Sequence, residues 1–240
     1  MATYQDLEND YTEVDTAGYL TLATTKATAL NLSSTAAYVY KDFDADHFDA
    51  LDIDFEIYSN SNSLAYHYWG IGLSDVVGTV ENWGSTDPSV FIDWRRADTV
   101  WIWLVRGVPF TTFDYWNGAI DDTPYYCTMS REAGNDTIYL HIFDDSGRAN
   151  EVDTLEVSGY STDKWQYFYG FAENNVTYTA DSDGYVDKID LNEAVAGTNF
   201  QINIGDTWKE VTAIKINIGD VWKSVTGAWI NISDTWKKIF

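Results

Sequence analysis

Apolar and polar residues alternate with a period of two along most of this chain, and no stretch carries the 3.6-residue period of an amphipathic helix. Leu51, Ile53, Phe55 and Ile57 interleave with Asp52, Asp54, Glu56 and Tyr58, the pattern of a strand with one buried and one wet face. Similar runs occupy 18–23, 27–32, 37–41, 64–73, 90–94, 99–105, 125–129, 137–143, 152–157, 165–171 and 185–191. Turn-forming clusters separate them, among them Asp144-Asp145-Ser146-Gly147 and Asp181-Ser182-Asp183-Gly184. Many short strands with regular turns predict an antiparallel two-sheet β-sandwich. The 99–105 run is apolar on both sides, which predicts a central strand.

The end of the chain breaks this rhythm with a repeat. Ile202-Asn203-Ile204-Gly205-Asp206-Thr207-Trp208-Lys209 returns as Ile216-Asn217-Ile218-Gly219-Asp220-Val221-Trp222-Lys223, and then as Ile230-Asn231-Ile232-Ser233-Asp234-Thr235-Trp236-Lys237. Each copy predicts a β-hairpin turning at Gly-Asp. A three-residue connection would gather Ile202, Ile204 and Trp208 on one face, likewise Ile216, Ile218 and Trp222, and Ile230, Ile232 and Trp236. Units this small do not bury a core alone. The expectation is therefore a sandwich over 1–198 and, over 199–240, a tail of three hairpins that packs or assembles, ending on the apolar Phe240. The tail has two candidate docking surfaces: other copies of the chain, or the edge of its own sandwich, as a cap.

Two resemblances follow from particular residues. Ala37-Tyr38-Val39-Tyr40-Lys41-Asp42 leading into the 51–58 strand, Tyr68-Trp69-Gly70-Ile71-Gly72-Leu73-Ser74, Thr137-Ile138-Tyr139-Leu140, Trp165-Gln166-Tyr167 and the closing Gly184-Tyr185-Val186-Asp187-Lys188-Ile189-Asp190-Leu191 resemble concanavalin A-like lectin/glucanase domains of the laminin-G-like branch. That resemblance implies a jelly-roll sandwich. The tail repeats are similar to those at the ends of phage tail and other virion proteins. They imply a virion-surface structural component, decorating a head, tail or fibre, with other virion proteins or copies of itself as partners.

Charge and composition narrow the partners. The net charge of −24 lies almost wholly in the first 200 residues, because the tail sets five Lys against four carboxylates. Such an acidic body repels phosphate backbones and makes nucleic acid an unsuitable partner. No run is apolar for long enough to span a membrane as a helix, and no basic-then-apolar leader follows Met1, so neither membrane insertion nor a signal peptide is expected. Cys127 is the sole cysteine, which rules out an internal disulfide. Aromatic residues make up 16% of the chain, enough for a sugar-stacking surface as well as a core.

The candidate chemistry falls into three groups. Asp181, Asp183 and Asp187 cluster around Gly184, and Asp42, Asp44 and Asp46 alternate in a polar run; both patterns suit calcium, a hard cation that takes oxygen ligands. Trp69, Trp83, Trp94, Trp101, Trp103 and Trp116 are candidates for stacking on cell-surface glycans, with Asn82 and Asp93 as hydrogen-bonding neighbours. Asp52-Ile53-Asp54-Phe55-Glu56 resembles the catalytic strand of family 16 glycoside hydrolases, with Asp52 one methylene short of the nucleophilic Glu. The scattered His47, His67 and His141 form no metal-binding spacing, and no nucleophile elbow or phosphate loop occurs. The leading expectation is a non-enzymatic virion protein that assembles through its tail and adheres weakly to glycans. A glycan-binding lectin module with the tail as cap is the alternative, and a glycosidase stands third.

Overall fold

The structure, a computed structural model, describes residues 3–32, 37–60, 68–80, 89–96, 100–107, 112–160, 162–173 and 182–192, together with the backbone of six short strands between 201 and 238. It divides into two compact units, Met1–Leu191 and Asn192–Phe240. The first contains β1 (Thr12–Asp15), β2 (Leu20–Ala23), β3 (Lys26–Leu32), β4 (Ala37–Asp42), β5 (Leu51–Ser59), β6 (Tyr68–Ser74), β7 (Ser89–Arg96), β8 (Val100–Arg106), β9 (Thr112–Ala119), β10 (Tyr125–Arg131), β11 (Thr137–Phe143), β12 (Glu151–Ser158), β13 (Tyr167–Glu173) and β14 (Ser182–Asp190). No helix among the described residues is long and apolar enough to cross a membrane.

Two antiparallel seven-stranded sheets result, ordered β12-β11-β10-β5-β14-β3-β2 and β1-β4-β13-β6-β7-β8-β9. This is the antiparallel two-sheet sandwich that the period-two pattern predicts, in the jelly-roll form that the resemblance implies. Leu51, Ile53, Phe55 and Ile57 are all buried, while Asp52 on the other face is exposed. One apolar cluster joins the inner faces, with Phe55, Cys127 and Ile142 contributed by one sheet and Trp69, Ile92 and Leu104 by the other. Burial pushes the Cys127 thiol well up, so it remains a neutral core group. Gly184 has a packing role: a Cβ there would lie 2.3 Å from the Trp69 ring and 2.5 Å from the Tyr58 carbonyl.

Arg131 ties the loops at one end. Its side chain is fully buried, and it donates to the carbonyls of Asp49, Tyr160, Phe48 and Asp163. The guanidinium also lies 4.5 Å from the Trp165 ring centroid. Five N–H donors in a fixed fork suit this task, which no shorter cation performs.

Two sequence expectations need correction. The 99–105 run is not central: among the described strands β8 lies one from the edge, between β7 and the edge strand β9. Its second apolar face exists because Trp101 and Trp103 line the outside of the sheet while Ile102 and Leu104 enter the core. The tail hairpins form, but with a different register. β15 (Gln201–Ile204) pairs with β16 (Thr207–Glu210), β17 (Lys215–Ile218) with β18 (Val221–Ser224), and β19 (Trp229–Ile232) with β20 (Thr235–Lys238). Ile204 pairs with Thr207, Ile218 with Val221 and Ile232 with Thr235, which leaves two residues between strands rather than three. Asn203, Asn217 and Asn231 therefore stand in register with Trp208, Trp222 and Trp236. The proposed stripe of Ile202, Ile204 and Trp208, and its counterparts, depended on the longer connection. Phe240 lies outside the described residues.

Candidate functional site

The β8–β9 pair carries the clearest surface feature. Alternation on β8 sends Ile102 and Leu104 inward at 0% exposure and leaves Trp101 and Trp103 half-buried on the outer face. On β9, which the pattern reading passed over, Phe113 and Tyr115 take the same face at 46% and 47% exposure. Trp103 pairs with Tyr115, and Val105 with Phe113. The rings form a continuous strip: Trp103 lies 4.5 Å from Phe113 and 5.2 Å from Tyr115, and Trp101 lies 5.8 Å from Trp103 and 6.0 Å from Tyr115. The buried Asp93 of β7 stands opposite Trp103 at the inner margin of the strip. Such a strip offers apolar ring surface beside the phenol O–H of the exposed Tyr115, while the Trp103 indole nitrogen is buried, a combination that suits a ligand with one apolar and one hydroxylated side.

The loop after β6 covers the middle of the same outer face. The Tyr169 hydroxyl donates to the Val76 carbonyl at 2.9 Å and accepts from the Gly78 amide at 3.1 Å, and Val80 is buried with Phe91, Tyr169 and Ala172. Beyond it Tyr38, Tyr40, Tyr167 and Tyr169 form a second aromatic group, with successive centroids 5.8–6.0 Å apart.

The other tryptophans divide by environment. Trp69 and Trp94 belong to the core, at 0% and 1% exposure, with rings stacked 6.4 Å apart, so they present no surface to a sugar. Their strand companions show why: Trp69 alternates in phase with Ile71 and Leu73, and Trp94 with Ile92 and Val90, all core residues. Trp116 is partly buried against the core, edge-on to Tyr125 at 5.1 Å and one residue out of phase with the strip. Trp83 and Asn82 lie outside the described residues.

Asp52, Asp54 and Glu56 share the outer face of the first sheet, as alternation requires, but all are not equally available. Asp52 is exposed. Asp54 accepts from the Thr128 hydroxyl at 2.5 Å and lies 3.3 Å from Arg148 Nε. Glu56, 5% exposed, accepts from the Tyr185 hydroxyl at 2.7 Å and from Lys188 Nζ at 2.8 Å. Burial and then the Glu56 acceptor push the Tyr185 phenol up, and the hydrogen bond to Glu56 raises Lys188. Lys188 reaches Glu56 because β14 shifts register between Asp187 and Asp190 and Lys188 adopts a φ of 54°. Sequence offers no signal for either cation: Arg148 comes from a turn at φ 51°, Lys188 from this bulge. Together with Tyr4, Tyr126, Ser146 and Asp190, these groups line a cleft of about 190 Å³.

The aspartate runs read as calcium ligands are arranged differently. Asp187 is buried and committed elsewhere: it accepts from the Thr25 hydroxyl and its own neighbour's amide at 2.8 Å, and pairs with Lys26 at 3.3 Å. Asp183 is half-buried, and Asp181 lies outside the described residues. Asp42 accepts from the Asp44 amide and from Gln166 Nε2, both at 2.9 Å, while Asp44 and Asp46 are exposed turn residues at φ 72° and 61°. Among the described residues no three carboxylate, imidazole or thiolate side chains gather into a metal-holding group.

No family model matches this chain, and no curated protein matches it. Solved structures do. Arcelin-5, a lectin-like defence protein from Phaseolus vulgaris, aligns over 77% of this chain and 92% of its own at 8% identity, with a TM-score of 0.51. A functionally unknown protein from Saccharomyces cerevisiae aligns over 75% and 94% at 9% identity, with a TM-score of 0.51. The VIP36 exoplasmic/lumenal domain, in a Ca2+/Man-bound form, aligns over 76% and 82% at 8% identity, with a TM-score of 0.50. At these identities the likeness defines the fold, a lectin-type, concanavalin-like jelly roll. It lends nothing to the virion reading of the tail.

Proposed function

We propose that this chain is a non-catalytic, lectin-like module that recognises glycans at the Trp101–Trp103–Phe113–Tyr115 strip. The observation that carries the reading is the strip itself, a row of large rings held on the outside of a rigid sheet, with Phe113 and Tyr115 nearly half exposed. Covering the exposed parts of two rings removes about 150–200 Å² from water, roughly 4–5 kcal/mol gross. The entropy of association consumes much of that. A single strip therefore binds sugars weakly, with a Kd on the order of millimolar. Asp54 and Glu56 each face a cation, and Glu56 also accepts from the Tyr185 hydroxyl, engagements that disfavour the glycosidase reading.

Weak sites gain from multivalency, and the tail supplies a reason to assemble. Each hairpin consists of two four-residue strands paired only with each other among the described residues, and such ribbons are marginal in water by themselves. Assembly through them would present several strips at once and raise avidity by about two to four orders of magnitude. On a virion surface, the setting the repeats resemble, such an assembly would act as a structural component with weak glycan adhesion.

The test is a glycan array probed with the full chain and with Trp103→Ala. Retention of one glycan class by the wild type, weakened roughly tenfold in the variant, is the expected result. Equal retention of both proteins, or of neither, would refute the proposal.

A further inference from the structure

We infer that the cleft on the outer face of the first sheet is a second binding site, separate from the aromatic strip, for one neutral polyhydroxylated ligand of the size of a single sugar ring. Its volume of about 190 Å³ sets the size, and Tyr4 and Tyr126 supply apolar walls. The charged lining sets the chemistry. Asp54, Glu56 and Asp190 face Arg148 and Lys188, so an anion meets three carboxylates and a cation meets two positive heads. Neither charge is favoured, whereas a vicinal diol both donates and accepts.

The lining has bonding capacity left for such a ligand. Arg148 Nε lies buried 3.3 Å from Asp54, so its capacity for a ligand rests on the other two nitrogens. Arg148 Nη2 reaches the Phe55 and Cys127 carbonyls only at 3.4 and 3.5 Å, and Nη1 has no hydrogen bond among the described residues. Asp54 bonds Thr128 through Oδ1, which leaves Oδ2 as an acceptor. Lys188 uses one of its three N–H donors on Glu56 and is 47% exposed. A donor from Arg148 beside an acceptor from Asp54 can grip two adjacent hydroxyls, with Ser146 and the tyrosine hydroxyls adapting to the rest. Both cations also occupy left-handed backbone positions, costing on the order of 1 kcal/mol each for side-chain-bearing residues. The fold maintains that cost at the two positions that supply the cleft with positive charge.

Saturation-transfer NMR on the full chain, with D-glucose, D-galactose and D-mannose as probes and acetate and methylammonium as charged controls, tests the inference. At least one hexose should bind in the millimolar range. Asp54→Asn should weaken it roughly tenfold, the loss expected of a charge-assisted hydrogen bond. In a Trp103→Ala background, which weakens the strip's own sugar contact, Ser146→Trp, placed on an exposed turn where it threatens no core contact, should abolish the remaining signal by filling the cleft. Trp103→Ala alone should leave the Asp54-dependent part of the signal unchanged, which separates the cleft from the strip. The inference is overturned if no hexose binds at about 50 mM, a concentration that detects even very weak sites. It fails equally if only a charged probe binds, or if hexose binding in the Trp103→Ala background survives Ser146→Trp with far-UV dichroism unchanged.

Discussion

Replacing Arg131 with Met should destabilise the sandwich more than any surface substitution. The side chain is wholly buried and donates to four backbone carbonyls, with distances of 3.0 Å to Tyr160 and 2.7 Å to Asp163. Burial lowers its pKa, opposed by Asp49 and Asp163, yet a guanidinium remains protonated at any working pH. Methionine fills much of the volume but leaves those carbonyl oxygens without their donor. Each such loss costs about 1–3 kcal/mol, partly offset because a charge no longer needs to be desolvated. The net expectation is about 3–5 kcal/mol, a large fraction of the 5–15 kcal/mol that holds a typical domain together. The effect should reach the strip, because the Tyr160–Asp163 loop that Arg131 anchors also holds Arg106 of β8: Asp163 lies 3.6 Å from its guanidinium, and the Tyr160 ring centroid 5.1 Å away. Urea unfolding followed by tryptophan fluorescence measures the change as a lower midpoint at constant slope. A variant within about 1 kcal/mol of wild type would refute the reasoning, because it would show that the carbonyls find water at no cost.

Three further outcomes follow from the same structure. The Asp145 carboxyl is held below its ordinary value by amides of Asn150, Ala149 and Gly147, and Asp49 by the Gly134 amide and Lys164; their stabilising contribution is complete above the unfolded value near pH 4 and is lost as pH falls through the lower folded values, so melting midpoints should drop in that window and Asp145→Asn should flatten the drop. Any midpoint shift produced by millimolar calcium and reversed by chelator should survive Asp44→Asn, because in that run Asp42 already accepts two hydrogen bonds; a shift abolished by Asp44→Asn would overturn this. Truncation after Asn192 should preserve the sandwich's melting curve yet reduce oligomer mass by light scattering, and an unchanged mass would remove the assembly role of the tail.

The sandwich was legible because one-sided burial writes itself as alternation, most plainly along Leu51–Ser59. The division among tryptophans was legible only in part: Trp69 and Trp94 keep phase with aliphatic core companions, but on β8, apolar on both faces, alternation does not say which face is the core. The two-sided apolar run at 99–105 was misleading because burial and an exposed aromatic strip produce the same composition. β9 escaped notice because Asp114, Asn117 and Gly118 interrupt an edge strand whose outward face is aromatic. Arg131 and the cleft cations left no trace in the sequence, since carbonyl capture and a register shift depend on where distant chain segments meet. The hairpins were legible as hairpins; their register was not, because Gly-Asp suits either connection length.

The proposed function rests on the strip meeting sugar while the core rings do not. Fluorine NMR on the full chain, carrying 5-fluorotryptophan and assigned by single substitutions, reads this directly during titration with an array-positive oligosaccharide. The account predicts that the Trp101 and Trp103 resonances move with saturation while those of Trp69, Trp94 and Trp165 stay fixed. Stationary Trp101 and Trp103 signals in the presence of a bound glycan would contradict it.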